Sequence, residues 1–209
     1  MDQKSLPALL EEQWLLRLEH FNHMASEEQS QWFESILNAK SEEFKGEEFV
    51  AGLKRAWSCS EFVANTCTGN PEMFCQLVES GDLSISYSPD SMEKSLLARL
   101  QDAEKEDDLT RELRQFRNRE MVRIVWRDFT RESSLEETTA DMTALAEACL
   151  QCTLDYLYPV ACEAWGIPMN CNGDPQQMVI LGMGKMGAWE LNVSSDIDLI
   201  FTYPESGET

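Results

Sequence analysis

The stretch Leu181–Phe201, LGMGKMGAWELNVSSDIDLIF, decides the fold of this chain. It starts at the end of a short apolar run, Met178-Val179-Ile180-Leu181, which reads as a buried strand; GMGKMG then reads as a turn. Ile197-Asp198-Leu199-Ile200-Phe201 alternates as a second strand. Gly182, Gly184 and Gly187 fit the G-x-G-x-x-G spacing of a dinucleotide site. Only about nine residues separate Gly187 from the next strand, however, too few for a crossover helix. The acids also stand at the beginning of the second strand, whereas a ribose-binding acid belongs at its far end. No G-x-x-x-x-G-K-[ST] occurs, so a Walker A loop is excluded as well.

The same residues suit nucleotidyl transfer. Asp196 and Asp198 are two apart on the predicted strand, which points both carboxylates to one face. Carboxylates held that way bind Mg²⁺, a hard cation that takes oxygen ligands. Metal there neutralises charge on the attacking and leaving oxygens at a phosphorus centre. The glycines and the pair Ser194-Ser195 leave backbone amides able to approach phosphate oxygens, and Lys185 adds a point charge. A D-x-D alone is more often a solvated strand end. Glycine turn, serine pair and D-x-D in this order are far more specific.

Upstream, residues 1 to about 165 read as helix after helix. Leu6, Leu10, Trp14, Leu18 and Phe21 form one apolar stripe. Ser26 with Gln29 makes a capping box. Asn70-Pro71 is a helix start and Gly81 a helix stop. A long helix is expected from about Asp107 to Arg131, carrying Leu109, Leu113, Phe116, Ile124 and Phe129. Another begins near Ser134, with Glu137 placed for its cap, and continues to Trp165 with a kink at Pro159. At Gly166 the pattern changes: GIPMNCNGDPQQ has the Gly, Pro and Asn density of a connection.

The composition is that of a soluble globular protein, 43% hydrophobic and 26% charged over 209 residues. No apolar run approaches the roughly 18 residues of a membrane span. The first residues, MDQKSLPALLEEQWLL, lack a basic region before their apolar part, so no signal peptide is read and a cytoplasmic location is expected. A net charge of −21 repels a phosphate backbone, which argues against general nucleic-acid binding. Seven cysteines without an export signal read as reduced thiols. Cys149 and Cys152 form a C-x-x-C inside a helical pattern and read as core thiols. His20 and His23, the chain's two histidines, have no third ligand nearby and read as surface or packing residues.

GMGKMGAWELNVSSDIDLIF closely resembles the signature of the bacterial glutamate–ammonia-ligase adenylyltransferases, members of the polymerase-β-like nucleotidyltransferase superfamily. LRQFRNREMVRIVWRDF, Leu113–Phe129, is similar to the helix preceding the catalytic domain in that family's N-terminal half. Arg55-Ala56-Trp57 followed by SEFVAN resembles an early helical segment. The fold class expected is therefore a mainly α N-terminal helical domain, residues 1–170, leading into the truncated start of an α/β (α+β) nucleotidyltransferase domain, residues 171–209.

The resemblance implies two nucleotidyltransferase domains acting in opposite directions on a tyrosine of glutamine synthetase. The C-terminal one adds AMP from ATP. The N-terminal one, favoured here by the arginine-rich second stretch, removes AMP by phosphorolysis and releases ADP. Asp196 and Asp198 would be catalytic metal ligands for Mg²⁺, and Gly182, Gly184, Lys185, Gly187, Ser194 and Ser195 the nucleotide- and phosphate-binding residues. The uridylylated PII signal-transduction protein would promote removal. Two departures stand out. Ala188-Trp189 occupies a place where the family usually has small or basic residues, and the family's third metal-binding carboxylate falls beyond Thr209. On that reading the chain by itself folds in its helical part and is catalytically inert.

Seven arginines lie between Arg111 and Arg131, and Arg119, Arg123, Arg127 and Arg131 recur every fourth residue. Acids interleave with them, which favours an ion-paired scaffold over a substrate-facing stripe. Two rival functions remain at this level. One is forward adenylyl transfer by the same fold to another target; the other is a non-catalytic helical interaction domain.

Overall fold

A computed structural model describes residues 8–38, 46–88 and 90–208. Leu6 of the first stripe and Thr209 lie outside the described residues. The helices are α1 (Ala8–Met24), α2 (Glu27–Asn38), α3 (Gly46–Cys59), α4 (Glu61–Gly69), α5 (Pro71–Glu79), α6 (Ser91–Leu100), α7 (Glu106–Thr130) and α8 (Leu135–Trp165). After them come β1 (Met169–Asn170), β2 (Val179–Gly182), the single turn α9 (Gly184–Gly187), β3 (Leu199–Thr202) and β4 (Gly207–Glu208). The chain is thus mainly helical and leads into a small α/β part, as the sequence implies. Among the described residues no helix is long and apolar enough to cross a membrane.

Two compact units result, Met1–Ser86 with Asn118–Leu135, and Tyr87–Arg117 with Glu136–Thr209. The first is built on aromatic packing. Phe21, Phe33, Trp57 and Phe74 are fully or almost fully buried, with ring centroids 4.4 to 6.0 Å apart. Trp14 of the predicted stripe joins them at 5.6 Å from Trp57. The local signals act as expected. Ser26 and Gln29 close a reciprocal capping box, with Ser26 N–H donating to Gln29 Oε1 (2.9 Å) and Gln29 N–H to Ser26 Oγ (3.2 Å). Asn70 Oδ1 accepts from Met73 N–H (3.1 Å) with Pro71 behind it. Gly81 takes a φ of 74° just past α5.

Helix α7 runs within one residue of its expected bounds. Its middle, residues 120–127, is buried without a break, so every face of that segment is enclosed. The arginines follow from this. Arg119 pairs with Asp82 and Glu120, and Arg123 Nε lies 3.5 Å from Glu120. Arg127 donates to the carbonyls of Leu83 (3.4 Å) and Glu132 (3.2 Å). Burial pushes the Glu120 carboxyl up, while Arg119 and then Arg123 pull it back. Arg131, expected to continue the stripe, lies one residue past the helix and is exposed. It has a φ of 63° and forms the left-handed cap: its N–H bonds Asp128 O, and Glu132 N–H reaches back to Arg127 O.

Helix α8 begins one residue after Ser134, reaches Trp165 and contains Pro159. Cys149 and Cys152 are free thiols on it, and burial raises both to about 11. His20 Nδ1 lies 3.1 Å from Thr68 Oγ1, and His23 is exposed. The connection after Gly166 is more ordered than its composition suggests, because β1 pairs antiparallel with β4. Gln176 knits it: its N–H donates to Pro168 O (2.8 Å), and its side-chain oxygen accepts from Glu205 N–H (3.0 Å).

Arg123 has no exposed surface, and its removal leaves a cavity and takes from buried Glu120 one of its two arginine partners, Arg119 being the other. Arg123→Ala is therefore expected to destabilise the chain by about 3–5 kcal/mol. Denaturant unfolding followed by circular dichroism reads this out; an unchanged midpoint would refute a scaffolding role.

Candidate functional site

Strands β2 and β3 pair antiparallel, with Val179 opposite Thr202, Ile180 opposite Phe201, Leu181 opposite Ile200 and Gly182 opposite Leu199. Two expectations need correction here. The first strand is shifted one residue, to Val179–Gly182, and is half-exposed instead of buried. With two strands in the ladder, Val179, Leu181 and Ile200 share a face on which each stays 43–47% exposed. The second strand begins at Leu199, so Asp196 and Asp198 precede it and do not lie on it.

Asp198 is nevertheless held by the ladder. Its carbonyl accepts from Met183 N–H (2.9 Å), carrying the pairing one step beyond Gly182 and Leu199. Period-two alternation then sets Asp198 on the face of Ile200. Asp196 lies two residues further upstream, and both side chains are exposed.

The segment Asn192–Ser195 is organised by a residue that the motif reading passed over. Asn192 Oδ1 accepts from Ser194 N–H (3.2 Å), Ser194 Oγ (3.3 Å) and Ser195 Oγ (2.7 Å). Ser195 N–H donates to Asn192 O (3.1 Å). The serine amides expected to be open to phosphate are therefore closed on Asn192. Asn followed two residues later by Ser is an Asx-turn signal that the sequence carries. Just before it, buried Leu191 donates its N–H to Thr143 Oγ1 of α8 (3.3 Å), which ties the loop to that helix.

The glycine turn holds one helical turn, Gly184–Gly187. Gly184 has a φ of 56°, a conformation that favours glycine. At Gly187 a Cβ would stand 2.5 Å from Gly182 O, so no side chain fits. Lys185 is exposed on this turn. The exit is a Schellman motif: Trp189 N–H bonds Met186 O (3.1 Å) and Glu190 N–H bonds Lys185 O (2.8 Å). Its left-handed position, usually glycine, is held by Trp189 with a φ of 60°.

Gly182, Gly187 and Trp189 line a cavity of about 690 Å³, together with Glu147 and Asp155 of α8 and Glu93 of α6. Burial, then the charge of Glu93, holds the Glu147 carboxyl above the ordinary range. Among the described residues no group of three or more His, Cys, Asp or Glu converges to hold a metal ion. Asp196 and Asp198 supply exposed carboxylate oxygens, which suit Mg²⁺ because that ion commonly takes one or two carboxylates and keeps its waters.

Residues 50–209 match the family described as glutamate-ammonia ligase adenylyltransferase. The chain belongs to that family. Among curated relatives, the protein of Pseudomonas aeruginosa is 47% identical over 164 residues, 78% of this chain and 17% of the relative. That of Nitrosococcus oceani is 43% identical over 205 residues, 98% and 20% of the two chains. That of Shewanella woodyi is 44% identical over 177 residues, 85% and 18%. Each is named bifunctional glutamine synthetase adenylyltransferase/adenylyl-removing enzyme. The chain thus spans 17 to 20% of the length of these relatives. Within the family match lie the glycine turn, the serine pair and both aspartates.

The turn supports a prediction with opposite signs at two neighbouring positions. Gly187→Ala forces a Cβ against a carbonyl and is expected to cost about 1–3 kcal/mol. Trp189→Gly removes the left-handed penalty and is expected to stabilise by about 0.5–1 kcal/mol, after the added freedom of the unfolded chain. Thermal unfolding of both variants checks this; a destabilised Trp189→Gly would show that the indole holds the turn together.

Proposed function

We propose that this chain is the N-terminal, deadenylylating part of an enzyme that controls glutamine synthetase. It removes AMP from the modified tyrosine by phosphorolysis. The observation that carries the reading is the backbone bond from Met183 to Asp198, which sets the backbone of an exposed aspartate beside the entrance of the glycine turn. The names of the relatives support the target, and the resemblance of Leu113–Phe129 to the helix of the family's N-terminal half supports the direction. In this reading residues 1–170 are the helical support and residues 171–209 the opening of the nucleotidyltransferase domain. That division follows family architecture and differs in kind from the two packing units.

The reaction makes and breaks bonds at one phosphorus. An oxygen of inorganic phosphate bonds to the α-phosphorus, the bond to the tyrosine oxygen breaks, and the phenolate takes up a proton; ADP is released. Asp196 and Asp198 would hold Mg²⁺, which supplies charge neutralisation at the phosphoryl oxygens. The chain's own part is placement. Asp198 is fixed by the ladder, and Asn192 orders the serines beside Asp196. Gly182, Gly184 and Gly187 let backbone approach the phosphates, and Lys185 offers a positive charge there. Ser194 and Ser195 bind phosphate once their bonds to Asn192 open. The PII protein in its uridylylated form is the proposed activator, and the cytoplasm the proposed location.

The test is a chimaera in which this chain replaces the matching segment of the full-length Pseudomonas aeruginosa relative. With adenylylated glutamine synthetase, phosphate and Mg²⁺ it is expected to release ADP. Asp196→Asn or Asp198→Asn should lower that rate by about 10²–10³-fold with folding unchanged, since metal stabilisation is worth several kcal/mol. Undiminished release would reject the metal assignment. A chimaera impaired only in AMP addition would reject the direction.

A further inference from the structure

Trp189 combines three properties that core packing does not explain. Its backbone occupies the left-handed region at φ 60°, where a bulky residue is disfavoured. Its side chain remains 44% exposed, so burial does not compensate for that conformation. It stands between two well-buried anchors, Met186 and Leu191, whose packing fixes the turn whatever residue lies between them. Strain kept at such a point signals a task for the side chain.

The surroundings say which task. Trp189 lines the cavity of about 690 Å³ that also borders Gly182 and Gly187, a volume within the range of small-molecule sites, roughly 300–1,000 Å³. Glu93, Glu147 and Asp155 line it as well. These repel phosphate, so an anionic ligand must keep its charged end toward the glycine turn and turn its neutral end inward. Carboxylate oxygens are acceptors, suited to the exocyclic amino group of adenine and equally to the amino group and N1–H of guanine, so they favour an amino-bearing purine without choosing between the two. An exposed aromatic ring beside them offers a stacking surface.

We propose that Trp189 is the stacking platform for the adenine base, with the α6 and α8 carboxylates accepting from its amino group. The assignment rests on the nucleotide reading of the glycine turn and names the residue that holds the base. It also accounts for the bulky residue at a position that the turn's geometry would give to glycine.

Calorimetric titration of the 209-residue chain with ADP, GDP and pyrophosphate in Mg²⁺ tests it. ADP and GDP are both expected to bind more tightly than pyrophosphate, because each carries a stackable purine with an amino group. Trp189→Phe should keep ADP affinity within about threefold, because a ring remains. Trp189→Ala and Trp189→Gly should each lose about tenfold or more, the scale of one base–aromatic stack. The pair separates ring from backbone, since alanine keeps the left-handed penalty and glycine removes it. Pyrophosphate affinity should be the same in all four proteins. Unchanged ADP affinity in the alanine and glycine variants overturns the platform and leaves the nucleotide reading standing. So does a parallel loss of pyrophosphate binding, or a phenylalanine variant as weak as alanine. ADP that binds no more tightly than pyrophosphate overturns both base contacts, ring and carboxylates. No ADP binding by the unaltered chain overturns the nucleotide reading and the platform together.

Discussion

The pairing of Gly182 with Leu199 is the constraint on which the α/β part depends. Antiparallel ladders have a side-chain period of two, so a slip of one residue would move Asp198 to the opposite face. The register also sets the glycine turn directly beside the Asp198 backbone, through Met183. Two features guard it. Gly187 packs so close to the Gly182 carbonyl that only glycine is tolerated, and the bond from Leu191 to Thr143 ties the far end of the loop to α8. The short α9 turn and the Asx-turn at Asn192 then need only span the distance between these fixed points.

The helical part obeys a different economy. Its centre is an aromatic cluster, insensitive to direction and worth much in area, around Phe33 and Trp57. Helix α7 adds what such a cluster lacks, directional and charged contacts inside the protein. Buried ion pairs contribute little net stability, because desolvation offsets their attraction. They penalise misalignment instead: a helix shifted by one residue would pull Arg119 away from Asp82 and Arg127 away from the Leu83 carbonyl, both outside the helix. Arg119 and Arg127 therefore act as alignment devices for a helix whose middle, residues 120–127, is enclosed.

Much of this was legible in the residues. Caps at Ser26 and Asn70, the stop at Gly81 and the bounds of α7 and α8 follow from local chemistry, which acts over three or four residues. The order of glycine turn, serine pair and D-x-D singled out the segment that forms the connection between β2 and β3 and lies within the family match. What escaped reading depends on more distant partners. Strand edges moved because pairing, and not apolar content, sets where a ladder begins; Leu199 is the first paired residue although Ile197 looks equally strand-like. The tie from Thr143 to Leu191 joins residues 48 apart and leaves no local mark. Asn192 was within reach, since its spacing to Ser194 is an Asx signal; the eye went to the acids.

The exposed face of Val179, Leu181 and Ile200 bears on how the protein behaves in bulk. An open ladder with apolar side chains is adhesive toward copies of itself. The net charge of −21 opposes that adhesion at long range, because every copy repels every other. The two forces differ in their reach: added salt shortens the repulsion to a few ångströms and leaves the contact attraction intact. Colloidal stability is thus set by ionic strength as well as by the fold. Dilute buffer keeps the chains dispersed, whereas concentrated salt exposes the stickiness of a sheet that the helices leave uncovered.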